Sequence, residues 1–72
     1  MNTEIITLEE QEEYIRLCDL LKAAGAVDTG GQAKWVIQEG KVTVNGQVCT
    51  QRGKKIHRSD KVFYQDTVYE VH

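Results

Sequence analysis

Apolar residues recur every three or four positions from Tyr14 to Ala24, which is the spacing of one face of an α-helix. The positions on this face are Tyr14, Leu17, Cys18, Leu20, Leu21 and Ala24. Polar residues such as Arg16 and Lys22 fall on the opposite side. The pattern predicts an amphipathic helix that ends at Gly25, a residue suited to the left-handed conformation found after many helices.

A second, shorter helix is predicted over residues 32–39, with Gly40 as its stop. Its apolar face consists of Ala33, Val36 and Ile37. Trp35 lies on the other side, about 200° from Ala33 at 100° per residue. Two interpretations of this tryptophan are open: it covers an edge of the core, or it stacks on a nucleic-acid base.

Strict alternation replaces the helical period after Gly40. Residues 41–44 and 47–50 are two alternating runs separated by Asn45-Gly46, a pair that suits both positive-φ positions of a type I′ turn. This segment predicts a β-hairpin with Val42 and Val44 facing the core and Lys41 facing outward. Two further strands are predicted over residues 60–64 and 67–71.

The N-terminal segment is open to two interpretations. Residues 4–8 are β-branched and extended in character, as in an edge strand. Thr7 and Glu10 also fit a capping box, which would start the first helix near Leu8 instead of near Ile15. We favour a strand, then a turn, then the helix.

Two helices followed by a mostly antiparallel sheet predict an α+β fold with the helix pair packed on one face of the strands. A chain of 72 residues is too short for two cores, so residues 1–72 are expected to form one domain. No apolar run suits a membrane span or a signal peptide, which suggests a cytoplasmic protein. Cys18 and Cys49 lack CxxC spacing and are expected to be reduced thiols, Cys18 in the core, with no metal site.

Charge is divided along the chain, although the net charge is only −2. Residues 1–33 carry seven acidic and two basic side chains, whereas residues 34–61 carry seven basic and two acidic ones. The basic segment is what a phosphate-binding face would require, and chance clustering on a solvated surface is the alternative.

Catalysis finds little support among the residues. His57 lies in the basic segment without a partner that would orient it, which is typical of a surface histidine. Gly30-Gly31 lacks the Lys-Ser or Lys-Thr of a P-loop. The glycine pair either forms a tight turn between helices or exposes backbone N–H groups to a phosphate at the start of the second helix, with Lys34 one turn further on.

The densest positive cluster is the loop Arg52-Gly53-Lys54-Lys55, in which the glycine allows the three cations to point to one side. Such a cluster recognises a phosphate backbone more than a base sequence. It therefore favours folded or double-stranded RNA over long single strands, which would require several aromatic platforms.

The chain resembles the S-four-like RNA-binding domain, also called the αL motif, and within it the small stand-alone bacterial proteins of the YbcJ-like group. The resemblance covers roughly residues 16–64 and is carried by Leu20-Leu21-Lys22-Ala23-Ala24-Gly25, Thr29-Gly30-Gly31-Gln32-Ala33-Lys34-Trp35-Val36-Ile37, Gly40-Lys41-Val42-Thr43-Val44-Asn45-Gly46 and Arg52-Gly53-Lys54-Lys55-Ile56. It implies that RNA lies across the two helices and the adjoining basic loop. Two positions depart from the family pattern: Ser59 stands before Asp60 where glycine is usual, and Cys18 replaces a frequent aspartate.

Residues and resemblance together predict a monomeric RNA-binding protein for structured RNA of the ribosomal or transfer class, without enzymatic activity or cofactor. The expected RNA-binding residues are Arg16, Gly30, Gly31, Gln32, Lys34, Trp35, Lys41, Arg52, Lys54 and Lys55. The alternative hypothesis is a protein-interaction adaptor that binds its partner through the acidic N-terminal segment, residues 1–15. A basic face concentrated on one side would favour RNA, and a scattered one would favour the adaptor.

Overall fold

A computed structural model describes all of residues 1–72. The two helices are α1 (Leu17–Ala23) and α2 (Gly30–Gln38). The strands are β1 (Asn2–Ile6), β2 (Tyr14–Arg16), β3 (Thr43–Val44), β4 (Gln47–Val48), β5 (Lys55–His57), β6 (Lys61–Tyr64) and β7 (Thr67–Val71).

Five strands form the main sheet in the order β1-β7-β6-β3-β4. β1 runs parallel to β7, with Asn2 opposite Thr67 and Ile6 opposite Val71. The other neighbouring strands are antiparallel. A parallel pair needs a long crossover connection, and here the segment that connects β1 to β7 in the sequence contains both helices and the β3–β4 hairpin. The predicted α+β fold with a mostly antiparallel sheet is confirmed, and so is a strand near the N-terminus.

A second sheet, formed by β2 and β5, was not predicted. Tyr14 lies opposite His57 in this antiparallel ribbon, so the prediction that Tyr14 belongs to the first helix is wrong. The helix begins at Leu17, later than either predicted start. Helical spacing gave the wrong assignment for Tyr14 because this residue stands three positions before Leu17, as a residue of the same helical face would. The same spacing also fits a strand that leads directly into the helix.

The capping box at Thr7 and Glu10, the alternative to the favoured strand and turn, is absent. Residues 9–12 form a single turn, in which the Glu12 N–H donates to the Glu9 carbonyl at 2.9 Å and the Glu9 N–H donates to Glu12 Oε1 at 2.9 Å. The chain therefore passes from strand to turn to strand before the helix starts.

One cluster of 15 buried apolar residues joins the helices to the main sheet. Its members are Leu8, Leu17, Leu20, Leu21, Val27, Ala33, Val36, Ile37, Val42, Val44, Ile56, Val62, Tyr64, Tyr69 and Val71. Val42 and Val44 face this core as predicted. Cys18 is only partly buried and lies at the edge of the core instead of within it, and both cysteines are free.

The predicted turns are confirmed by their backbone angles. Asn45 and Gly46 have φ of 51° and 85°, as a type I′ turn requires. Gln65 and Asp66, between β6 and β7, also have positive φ, at 50° and 62°. The hairpins of β3 with β4 and of β6 with β7 are therefore set by local sequence.

Asp60 ties the β3–β4 turn to the connection between β5 and β6. Its Oδ2 accepts a hydrogen bond from the His57 N–H at 2.7 Å, and its Oδ1 accepts one from Asn45 Nδ2 at 3.1 Å. Burial raises the pKa of Asp60, but these hydrogen bonds outweigh that effect and hold the pKa below its ordinary value of 3.8. The preceding residue, Ser59, has a φ of 76°, a conformation that suits the glycine usual in the related domains.

The turn geometry predicts that Gly46→Ala lowers stability by about 1 kcal/mol, because an L-residue is strained at positive φ. No atom lies within 4 Å of the added methyl group, so the backbone conformation alone accounts for the loss. For a domain of this size the melting temperature should fall by about 4–8 °C. Gly53→Ala is the control, since its site is equally open and has no left-handed φ. Equal melting temperatures for the two variants would contradict the turn assignment.

For Asp60→Ala we expect a loss of about 1–3 kcal/mol at pH 7, because two donors lose a charged acceptor. A carboxyl whose pKa is lowered by folding contributes stability above its unfolded pKa, and that stability is lost as pH falls through the folded pKa. The difference between wild type and variant should therefore persist down to about pH 3.8 and shrink below it. Urea unfolding across pH measures this, with Asp28→Ala as a control because the Asp28 carboxylate makes no hydrogen bond. A difference that does not change with pH would contradict the assigned role.

Candidate nucleic-acid interface

Helix α1 begins on the backbone of the basic loop. The first N–H groups of a helix have no acceptor within the helix, and Arg16, which precedes α1, supplies no side-chain cap. The Leu17 N–H donates instead to the Lys54 carbonyl at 2.9 Å, and the Cys18 N–H donates to the Arg52 carbonyl at 3.0 Å. The start of α1 therefore holds residues 52–54 in place.

The β2–β5 ribbon brings two cations face to face. Arg16 lies directly opposite Lys55, so both side chains leave the same side of the ribbon, and both are exposed. Like charges opposite each other in an antiparallel pair are destabilising, and a bound anion relieves that repulsion. Arg16, Arg52, Lys54 and Lys55 are called the loop group below. The sequence predicted each of these residues, and the structure brings them together.

Two aromatic rings share the face of Arg16 and Lys55, and the sequence analysis missed both. Tyr14 and His57 lie opposite each other with ring centroids 6.0 Å apart, and Lys55 Nζ lies 5.0 Å from the Tyr14 ring centroid. The polar-apolar-polar pattern of residues 14–16 and 55–57 indicates this face, because only Ile15 and Ile56 turn toward the core. The exposed side of the ribbon therefore combines cations with rings.

The start of α2 leaves two backbone donors free. Thr29 caps the helix by accepting from the Gln32 N–H at 3.1 Å, and Gln32 Oε1 accepts from the Asp28 N–H at 2.9 Å. The N–H groups of Gly30 and Gly31 have no acceptor in the protein. Gln32, predicted to bind RNA, is thus occupied at least partly in capping.

A cation that was not among the expected RNA-binding residues lies beside Gly30. Lys22 Nζ lies 3.9 Å from the position that a Cβ would take on Gly30, and it also pairs with Asp19 Oδ1 at 3.6 Å. Lys34, the predicted neighbour, is exposed on α2. Helical spacing cannot show that the last turn of α1 lies beside the first turn of α2.

Trp35 is 55% exposed, so about half of its side chain is accessible to solvent or a ligand. Lys41 Nζ lies 5.4 Å from the Trp35 ring centroid, within cation–π range. We call Gly30, Gly31, Lys34, Trp35 and Lys41 the α2 group. No hydrogen bond or ring contact joins it to the loop group, and the two are connected through the packing of α1 on α2.

The acidic segment lies at the other end of the ribbon. Arg58 holds it there, because Nη1 donates to the Glu12 carbonyl at 2.7 Å and Nη2 donates to the Glu9 carbonyl at 2.8 Å. The antiparallel register places residues 9–13 next to His57 and Arg58, whereas Arg16 and Lys55 lie at the opposite end. Residues 9–13 and the Arg16–Lys55 pair therefore lie at opposite ends of the ribbon, whereas Asp19, also in the acidic half of the sequence, pairs with Lys22 on α1.

Other kinds of site find no support in the structure. No three His, Cys, Asp or Glu side chains lie close enough together to hold a metal ion. Neither helix has the length and apolar run required to cross a bilayer.

Comparison with known proteins identifies the family. The S4 domain matches residues 6–72 of this chain, nearly its whole length, so the chain belongs to the S4 domain family. The resemblance found in the sequence is confirmed.

Two relatives are similar in sequence. The "Probable ribosome maturation protein RlbA" of Bacillus subtilis (strain 168) is 40% identical over 50 residues, which are 69% of this chain and 70% of that protein. YbcJ of Escherichia coli (strain K12) is 49% identical over 43 residues, 60% of this chain and 61% of its own length.

Two solved structures share the fold. The solution structure of YbcJ from E. coli, described as revealing an αL motif involved in RNA-binding, has a TM-score of 0.70 at 35% identity and covers 99% of this chain and 89% of that one. A pseudouridylate synthase has a TM-score of 0.69 at 21% identity, covering 78% of this chain and 24% of the enzyme. The second likeness concerns the fold alone.

Proposed function

We propose that this protein binds structured RNA of the ribosomal or transfer class through the loop group and the α2 group, without catalysing a reaction. The observation that carries the proposal is the opposition of Arg16 and Lys55 beside a loop whose backbone α1 holds in place. Four exposed cations on a backbone that is held at these points suit a phosphate backbone, which presents its charges at regular intervals.

The α2 group adds different chemistry to the same proposal. The free N–H groups of Gly30 and Gly31, at the positive end of the α2 dipole and near Lys22, suit one further phosphate. The exposed ring of Trp35 suits stacking on an unpaired base. Selectivity would then come from the shape of the RNA, because Lys and backbone N–H groups read charge and not sequence.

The names of the relatives support this class of ligand. One is named a probable ribosome maturation protein, and the motif of the other is described as involved in RNA-binding. We infer that the RNA is ribosomal or an assembly intermediate and that the chain acts as a monomer. Because ribosomes assemble in the bacterial cytoplasm, the proposal places the protein there.

The adaptor hypothesis receives less support from the arrangement of charge. It requires the acidic segment to be the binding surface and the cations to be scattered. The Arg58 hydrogen bonds instead place residues 9–13 away from a cluster of cations. This separation also explains how a chain of net charge −2 can bind RNA without repelling it.

Reversing the charge of Arg52, Lys54 and Lys55 to Glu should remove most of the RNA affinity while leaving the fold intact. All three side chains are exposed, so stability should change by no more than about 0.5 kcal/mol per site. Each lost phosphate contact should reduce the slope of log K against log salt by about 0.7–0.9, so the triple variant should lose about 2–3 units. Fluorescence anisotropy with a folded RNA at several salt concentrations measures both quantities.

Matched single variants separate the local effect from net charge. Lys54→Glu and Lys61→Glu change the net charge equally, but Lys61 is exposed on β6 and lies outside both groups. Lys54→Glu should reduce the slope of log K against log salt by about 0.7–0.9, the contribution of one phosphate contact. Lys61→Glu should leave the slope unchanged. Wild-type affinity in the folded triple variant would refute the proposal and favour the adaptor.

A further inference from the structure

A groove of about 320 Å³ lies between the β3–β4 hairpin and the basic loop. This volume is at the lower end of the range of about 300–1,000 Å³ typical of small-molecule sites. Its walls include Asn45, Gln47, Val48, Thr50, Gln51 and Lys54. None of these residues was expected to form a cavity, and only Lys54 belongs to a group described above.

The backbone of the groove is fixed before any ligand binds. At one side the Cys49 N–H donates to the Val42 carbonyl at 3.0 Å, which continues the hairpin beyond β4. At the other side the Lys54 N–H donates to the Gln51 carbonyl at 3.1 Å, and the Lys54 carbonyl is held by the start of α1. A preformed rim reduces the entropy lost on binding.

The side chains of the groove are suited to the edge of a base. Gln47, Thr50 and Gln51 carry amide and hydroxyl groups that make no hydrogen bond within the protein, whereas the Asn45 amide is occupied by Asp60 and Lys61. Val48 is 61% exposed and supplies a small apolar surface. Lys54 is the one formally charged side chain in the lining, and it is a cation.

The groove also lies between the two parts of the proposed interface. Val48 Cγ1 is 3.6 Å from the position that a Cβ would take on Gly40, the residue before Lys41 of the α2 group. Lys54, at the other side, belongs to the loop group. An RNA that contacts both groups would pass over the groove.

We propose that this groove receives one unpaired nucleotide of the bound RNA. The base packs on Val48, its edge meets Gln47 and Thr50, and its phosphate lies near Lys54. Unpaired bases are recognised in this way, by their edges and faces. In an RNA helix, side chains cannot read the base edges in the major groove, because that groove is deep and narrow. A peptide fits less well, because only Val48 is well exposed among the three apolar residues of the lining, Val44, Val48 and Cys49, and this leaves little apolar surface for an anchoring side chain. The proposal rests on the proposed function and adds to it a preference for RNA with a bulge or loop.

The test compares two RNA stems that differ only in one bulged nucleotide. Wild type should bind the bulged stem roughly 3- to 10-fold more tightly, as expected for one or two added hydrogen bonds. Gln47→Ala/Thr50→Ala should remove this preference, while affinity for the paired stem and the salt slope stay at wild-type values. Asn2→Ala/Thr3→Ala is the matched control, since it also removes one amide and one hydroxyl, but from β1 at the opposite edge of the main sheet. Circular dichroism and melting curves check the fold of both variants.

The outcomes separate the two proposals. Equal affinity of wild type for both stems would overturn the nucleotide site and leave the loop group as the RNA surface. A preference that persists in Gln47→Ala/Thr50→Ala would overturn it too, by placing recognition elsewhere. Failure of wild type to bind either stem would overturn the proposed function as well. Loss of the preference in the groove variant alone supports the site.

Discussion

The structure depends on how the first helix finds acceptors for its unpaired N–H groups. α1 has seven residues and no side-chain cap, so it would be marginal in isolation. Its first two N–H groups reach across to the carbonyls of Lys54 and Arg52, and Leu17, Leu20 and Leu21 are buried behind them. The same two hydrogen bonds that complete the helix therefore fix the position of the basic loop. The hydrogen bonds that the fold requires at the start of α1 are thus the same ones that set the geometry of the candidate interface.

The β2–β5 ribbon extends this arrangement into a separation of charge. Its short antiparallel register places cations at the end next to α1 and the acidic turn at the end next to Arg58. Arg58 donates its hydrogen bonds to backbone carbonyls and forms no ion pair with a carboxylate, so it holds the acidic segment through its backbone. The result is a ribbon with cations at one end and acidic residues at the other, so the net charge of −2 says little about the local charge at either end.

Local patterns predicted much of this molecule, and the failures lie where distant segments meet. The two hairpins follow from turn residues such as Asn45-Gly46, and the buried face of each helix follows from its spacing. The ribbon could not be found in the same way, because its strands are three residues long and are separated by 38 intervening residues. The contacts of Lys22 with Gly30 and of Arg58 with Glu12 could not be predicted either, because each joins two different elements of the fold. The basic residues of the loop were predicted from composition, but their opposition to Arg16 required the fold.

The most direct test of the account is a titration of isotope-labelled protein with folded RNA, followed by backbone amide NMR shifts. We expect the largest changes at residues 16–18 and 52–55, because the hydrogen bonds that start α1 join these two segments, which carry the cations of the proposed interface. Smaller amide shift changes are expected at Gly30 and Gly31. Residues 9–13 should show no change beyond that caused by adding buffer alone. Changes confined to residues 9–13, with residues 52–55 unaffected, would contradict it.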